Sequence, residues 1–201
     1  MIVKKVIPKG FGCNTYILTR DKKNAVVIDC ADEGVFDECR KLNLLPVALL
    51  LTHGHFDHVG GCGKFYAENV PIYCGEGEEQ YTFSRENRLI FGGVYIPEFK
   101  ICRTLKDGEQ ITLGGIDFEV IQTKGHTAGG VCYLAEDCLF WGDTLFREGM
   151  GRYDLPGGNP NELKNSLKKL ISINKNLKVY CGHGEDTTLD YERKNNIYVN
   201  Y

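Results

Sequence analysis

Apolar runs along this chain are short and evenly punctuated, and their period changes from strand-like to helical and back. Residues 2–7 alternate weakly and read as a first strand. Phe11–Thr19, with aromatic and β-branched positions, reads as a second. Ala25–Cys30 reads as a third, and its unbroken apolar character marks a strand buried on both faces. The polar link Arg20–Asn24 reads as a hairpin turn. From Glu33 the period lengthens: Val35, Phe36, Cys39, Leu42 and Leu45 share one helical face, and Pro46 is expected to close the helix. Val47–Leu51 is a further buried strand. Residues 62–69 read as a short helix, Pro71–Cys74 as a strand and Gly75–Phe83 as a helix. Residues 84–100 fit neither period and read as a long loop, of the kind that often carries function.

The second half is strand-rich. Ile111–Leu113 and Ile116–Ile121 flank Gly114-Gly115 as a hairpin, and Val131–Leu134 and Cys138–Trp141 add two strands. Leu163, Leu167, Leu170 and Ile171 lie on one face of a helix over Glu162–Ile171. Leu177–Cys181 is the last strand, and Thr188–Asn195 a closing helix. There is no internal repeat. The 201 residues are expected to form a single domain, 1–201. A chain of this size buries about 70% of its unfolded surface without needing disulfides.

Composition narrows the function classes. A net charge of -3, with no long block of one sign, argues against a nucleic-acid-binding surface. Met1–Pro8 lacks the apolar run of a signal peptide, and no stretch is long enough to span a bilayer. The nine cysteines are odd in number, scattered and without a Cys-x-x-Cys pair. They are expected to be reduced and mostly buried, which places the protein in the cytoplasm. Their spacing disfavours a cysteine-held zinc or iron–sulfur site.

Candidate chemistry is concentrated in Thr52-His53-Gly54-His55-Phe56-Asp57-His58, directly after an apolar strand. Three of the five histidines of the chain lie there. The other two, His126 and His183, each follow a glycine at the end of a strand-like run, and Asp143 follows Gly142 in the same way. Imidazole and carboxylate are the usual donors to zinc, iron and manganese. His53 and His55 cannot share one face of a helix, but an irregular loop can turn both toward one ion. Gly54 between them is expected to free the backbone for this. Asp57 and His58 are adjacent and diverge, so four donors from one loop point to two metals side by side. Five histidines and two aspartates supply seven ligands and leave room for a bridging water or hydroxide.

The ordered motifs His53-x-His55-x-Asp57-His58, Gly125-His126-Thr127, Gly142-Asp143-Thr144 and Gly182-His183 resemble those of the metallo-β-lactamase superfamily, from about residue 11 to residue 190. The resemblance implies an α+β fold, a four-layer αββα sandwich of two mixed β-sheets flanked by helices, with the metals at one edge. Carried over by position, His53, His55 and His126 would bind one metal, and Asp57, His58 and His183 a second. Asp143 would bridge them. Two divalent ions are implied, with zinc as the leading expectation and iron or manganese as alternatives.

Within the superfamily the motifs resemble the short, single-domain glyoxalase II-like hydrolases, particularly through Gly151-Arg152-Tyr153-Asp154-Leu155-Pro156-Gly157-Gly158. This implies hydrolysis of a small thioester, of the hydroxyacylglutathione type, through a metal-bridging hydroxide that Asp57 helps to orient. Arg152 is the candidate for a substrate carboxylate. The C-terminal helical domain that helps longer relatives hold glutathione is not expected, and Asp154 and Asp186 stand where substrate-contacting tyrosines are found. An aspartate at 143, where the best-known zinc β-lactamases have cysteine, sets antibiotic hydrolysis aside. The alternatives are an iron-dependent persulfide dioxygenase, which shares the Gly-Arg-x-Asp segment, and a phosphodiesterase or nuclease. A small-molecule substrate is expected, with no nucleic acid and no membrane as partner. The oligomeric state is not legible.

Overall fold

The computed structural model describes residues 1–7, 12–84 and 98–199. Two six-stranded sheets face each other. The first contains β1 (Ile2–Val6), β2 (Thr15–Thr19), β3 (Asn24–Ile28), β4 (Leu45–Leu50), β5 (Ile72–Gly75) and β6 (Arg103–Leu105), in that order. Its first three strands run antiparallel, and β3 to β6 run parallel. The second sheet contains β7 (Gln110–Leu113), β8 (Ile116–Gln122), β9 (Val131–Ala135), β10 (Cys138–Gly142), β13 (Lys178–Cys181) and β14 (Thr187–Thr188). Its order is β14-β13-β10-β9-β8-β7, and only β10 and β13 pair in parallel. A small hairpin, β11 (Leu145–Phe146) with β12 (Gly149–Met150), stands apart.

Side-chain alternation turns these sheets into four layers. Leu18, Val26, Ile28 and Leu50 point inward against Phe118, Val120, Tyr133 and Phe140 of the opposing sheet. Their neighbours Ile17, Val27 and Leu49 point the other way, onto α1 (Gly34–Lys41) and α3 (Cys62–Ala67), through Val35, Phe36, Cys39 and Phe65. Successive residues of a strand face opposite sides, so a strand covered on both reads as a continuous apolar run. On the outer face of the second sheet, Cys132, Leu139, Trp141 and Val179 pack against Leu163, Leu167 and Leu170 of α5 (Pro160–Ile171). Asn159 caps that helix by accepting from the amides of Asn161 and Glu162. Leu189 of α6 (Leu189–Asn195) completes this layer. The αββα sandwich expected from the motifs is the fold.

Several local expectations need correction. The first helix ends at Lys41, and Pro46 lies inside β4, opposite Ala25 at a register shift where a missing amide is tolerated. Leu45 is therefore a strand residue and 65% exposed rather than part of the helical face. Residues 56–59 form a one-turn helix, α2 (Phe56–Val59), within the histidine motif. The second strand begins at Thr15, and the expected start at Phe11 lies outside the described residues. So do residues 85–97 of the expected long loop. All nine cysteines are free thiols. Among the described residues, no helix is long and apolar enough to cross a membrane.

Candidate metal centre

Strand ends gather the candidate residues at one edge of the sandwich. The loop after β4 carries His53, His55, Asp57 and His58, and the loops after β8, β10 and β13 carry His126, Asp143 and His183. The edge is tied across the sheets: the Val131 amide donates to Thr52 O at 2.9 Å, and the Asn14 amide to Gly182 O at 2.6 Å. Between β10 and β13 the register shifts from Phe140 to Gly142, and Gly142 adopts φ 54°. That conformation favours glycine, and it lifts Asp143 out of the ladder.

The seven side chains converge. The donor atoms of His53, His55 and His126 lie within 4.8 Å of one another, as do those of Asp57, His58 and His183. Asp143 joins His53 and His58 in a third such group. It also lies 3.4 Å from His183 Nε2 and 3.7 Å from His126 Nε2. Arg152 is not part of the cluster: its guanidinium makes two 2.8 Å bonds to Asp154, and both side chains are more than half exposed. Only its backbone carbonyl reaches the cluster, 2.7 Å from His126 Nδ1. Asp186 likewise has internal partners, Lys5 Nζ at 2.9 Å and the Tyr16 hydroxyl at 3.2 Å.

Each buried histidine has one ring nitrogen anchored. His58 Nδ1 lies 2.9 Å from Asp29 Oδ2, and His53 Nδ1 lies 3.1 Å from the Thr52 hydroxyl. That hydroxyl donates in turn to Asp29 Oδ2 at 2.8 Å. Asp29 also accepts the Thr52 amide, so one carboxylate orients two histidines and the start of their loop. Neither Asp29 nor Thr52 was among the expected site residues. The available signal was a carboxylate ending a strand buried on both faces, where a charge needs partners.

On three of these histidines the opposite ring nitrogen is left without a hydrogen bond. Nε2 of His53, His58 and His126, and Oδ1 of Asp143, are buried with no hydrogen bond among the described residues. His58 Nε2 does lie 3.3 Å from Asp143 Oδ1, but without the direction of a hydrogen bond. An unsatisfied buried polar group costs about 1–3 kcal/mol, and four converge here. Cations at the centre would satisfy all of them, so the donor set fits divalent metals.

Electrostatics divides the cluster. Burial pushes His53 well below its ordinary value and His55 down to about 3, and lowers His126, so all three are neutral imidazoles. Burial also opposes a charge on His183, but the carboxylates of Asp143 and Asp57 outweigh it and raise the ring to about 9. Burial alone would push the Asp143 carboxyl up, yet the charged rings of His58, itself raised well above its ordinary value, and His183 hold it well below the usual carboxylate range.

Fold, edge and donor set define a metallo-hydrolase, and residues 8–183 match the metallo-β-lactamase superfamily: the chain belongs to it. Members of this family typically bind divalent metals. The chain is 32% identical to the hydroxyacylglutathione hydrolase GloC of Haemophilus influenzae, over 98% of this chain and 97% of that one. A solved structure described as the BLEG-1 B3 metallo-β-lactamase superposes with a TM-score of 0.92 at 30% identity, covering 100% of both chains. TTHA1623, solved in a di-iron-bound form, superposes with a TM-score of 0.82 at 32% identity, covering 98% of this chain and 100% of that one.

Proposed function

We propose that this protein is a metal-dependent hydrolase of small thioesters. The observation that carries the reading is the set of four orphaned donor atoms at an edge where seven ligand-type side chains meet. His53, His55 and His126 would hold one ion, Asp57, His58 and His183 the second, and Asp143 would reach both. Zinc fits these donors, and iron or manganese fits them as well. When bound, such ions supply Lewis acidity and a nucleophile from water near neutral pH.

The chain's own residues provide the rest. Asp57 Oδ2 is 3.1 Å from His183 Nε2 and only partly buried, so it is placed to accept a proton from water at the open side of the cluster. The buried, neutral histidines exclude solvent from the other side. Arg152, held by Asp154 in the free protein, could exchange that partner for a substrate carboxylate. The thioester class is supported by the full-length similarity to GloC. On this reading residues 1–201 act as a single domain on a small molecule, in the cytoplasm, without nucleic acid.

The test is elemental analysis of the purified protein followed by turnover of S-lactoylglutathione and simpler thioesters. Two divalent ions per chain and thioester cleavage are the expected result. A second reading, β-lactam ring opening, is supported by the likeness to BLEG-1. Protein that opens a chromogenic cephalosporin and leaves every thioester intact would replace the first reading with the second. One iron per chain with oxygen uptake on glutathione persulfide would replace both with a dioxygenase.

A further inference from the structure

The short helix α4 (Glu78–Thr82) contributes no ligand-type side chain to the cluster, yet it is wedged between two of the ligand loops. Glu78 is fully buried. Its Oε1 accepts the Gly54 amide at 2.8 Å, and its Oε2 accepts the Thr127 hydroxyl and the Gly129 amide, each at 2.8 Å. One carboxylate therefore grips the backbone between His53 and His55 and the loop that follows His126. All three partners donate, which suits an ionised carboxylate, an acceptor at both oxygens.

Steric contact falls at the same two glycines. A Cβ on Gly54 would overlap the Thr82 hydroxyl, and a Cβ on Gly129 would overlap the backbone of Glu78. Neither glycine has a positive φ. Closeness to α4, rather than the backbone freedom expected from the sequence, is what calls for glycine at position 54.

Tyr81, on the same helix, reaches the third point. Its hydroxyl lies 2.9 Å from His55 Nε2, and its ring backs onto Gly157, where a Cβ would stand 3.2 Å from Tyr81 Cδ2. On His53, His58 and His126 the anchored nitrogen is Nδ1. On His55 it is Nε2, which leaves Nδ1 as the remaining donor. Tyr81 is what sets this reversed orientation.

We propose that α4 is a brace for the His53/His55/His126 ion, with Glu78 fixing the separation of the two loops and Tyr81 fixing the His55 ring. Both are positioning residues. The inference rests on the assignment of that triplet as an ion site. Outer partners of this kind are worth about 10–100-fold in metal affinity.

The test is zinc titration against a competing chelator, with the unfolding temperature measured for metal-stripped and zinc-loaded protein. Wild type should bind two ions. Tyr81→Phe should weaken one of them by about 10–100-fold and leave the other unchanged. Its metal-stripped unfolding temperature should stay within about 3 °C of wild type, while the rise on adding zinc shrinks. Glu78→Gln, which places an NH₂ against N–H donors, should act in the same direction. If Glu78→Gln does not fold, Tyr81→Phe decides alone. Wild-type affinity for both ions in Tyr81→Phe, or equal weakening of both, would overturn the proposal. A wild type that binds no ion would overturn it together with the reading of the centre.

Discussion

The two triplets at the sheet edge, three histidines in one and an aspartate with two histidines in the other, are built on opposite principles. His53, His55 and His126 are buried to 6% exposure or less, and burial keeps all three neutral. Their rings pack edge to face, with centroids 4.6 to 4.7 Å apart. Asp57, His58 and His183 form the open triplet, where the His183 side chain is 37% exposed and its ring pairs with carboxylates at 3.1 and 3.4 Å. The enclosed triplet can accept an ion without losing a proton. The open one holds itself together by ion pairs, and would release protons from His58 and His183 on binding an ion. On the proposed assignment, enclosure would set how tightly an ion is held, and exposure how it exchanges with solvent and substrate.

Ligand removal should separate the triplets most sharply. His53→Ala or His55→Ala is expected to empty the enclosed site and lower turnover by more than about 100-fold, beyond the range for losing an outer partner. Asp57→Ala or His58→Ala should remove the other ion. Elemental analysis checks this, and unchanged metal content in all four variants would dissolve the distinction. Asp29→Asn should erase the difference instead, because Asp29 supports His58 directly and His53 through Thr52. Both ions should weaken by about 10–100-fold in a chelator competition.

Proton counting gives a smaller but cleaner signal. In metal-stripped protein near neutral pH, His183 is protonated, because its value is raised from 6.5 to about 9. Zinc added to weakly buffered protein should release protons at the open site, where His58 and His183 are both raised, and none from His53, His55 or His126 at the enclosed one. The same shift has a consequence for stability. A raised histidine stabilises the fold fully below its unfolded value of 6.5, and that contribution is lost as the pH rises through about 9. Metal-stripped wild type should lose stability toward denaturant over that window, and His183→Asn should show a smaller loss, with the raised His58 accounting for what remains. Smallest of all, Arg152→Ala removes an exposed, solvent-screened pair that contributes little to stability. It should leave folding and metal content intact and raise KM for S-lactoylglutathione more than for a thioester without carboxylates.

Strands and layers were legible because a strand buried on both faces leaves a continuous apolar run. Val26 and Val27, or Leu49 and Leu50, serve two different cores and so look alike in sequence. Elements too short to show a period were not legible: β6 has three residues, and β11, β12 and β14 have two each. Pro46 misled because a proline after a helical run resembles a helix stop, while here a register shift lets it stand in a strand. In the site, the seven ligand-type residues announce themselves by chemistry and by their place after strand ends. Their supports do not. Asp29, Glu78 and Tyr81 act through contacts made 23 to 51 positions away along the chain, which no local pattern encodes.

The seven ligand-type residues are spread along much of the chain, from a segment at residues 52–58 after the first sheet's β4 to a glycine-histidine pair at 182–183 after the second sheet's β13. During synthesis, the first four ligand-type residues emerge long before the last. Neither triplet can close until the second sheet has docked, since His126 completes one and His183 the other. On the proposed assignment an ion would arrive late and lock a finished fold rather than seed it. Loading in a cell would depend on what metal is available once folding ends, and the same protein made under different metal supplies could carry different ions.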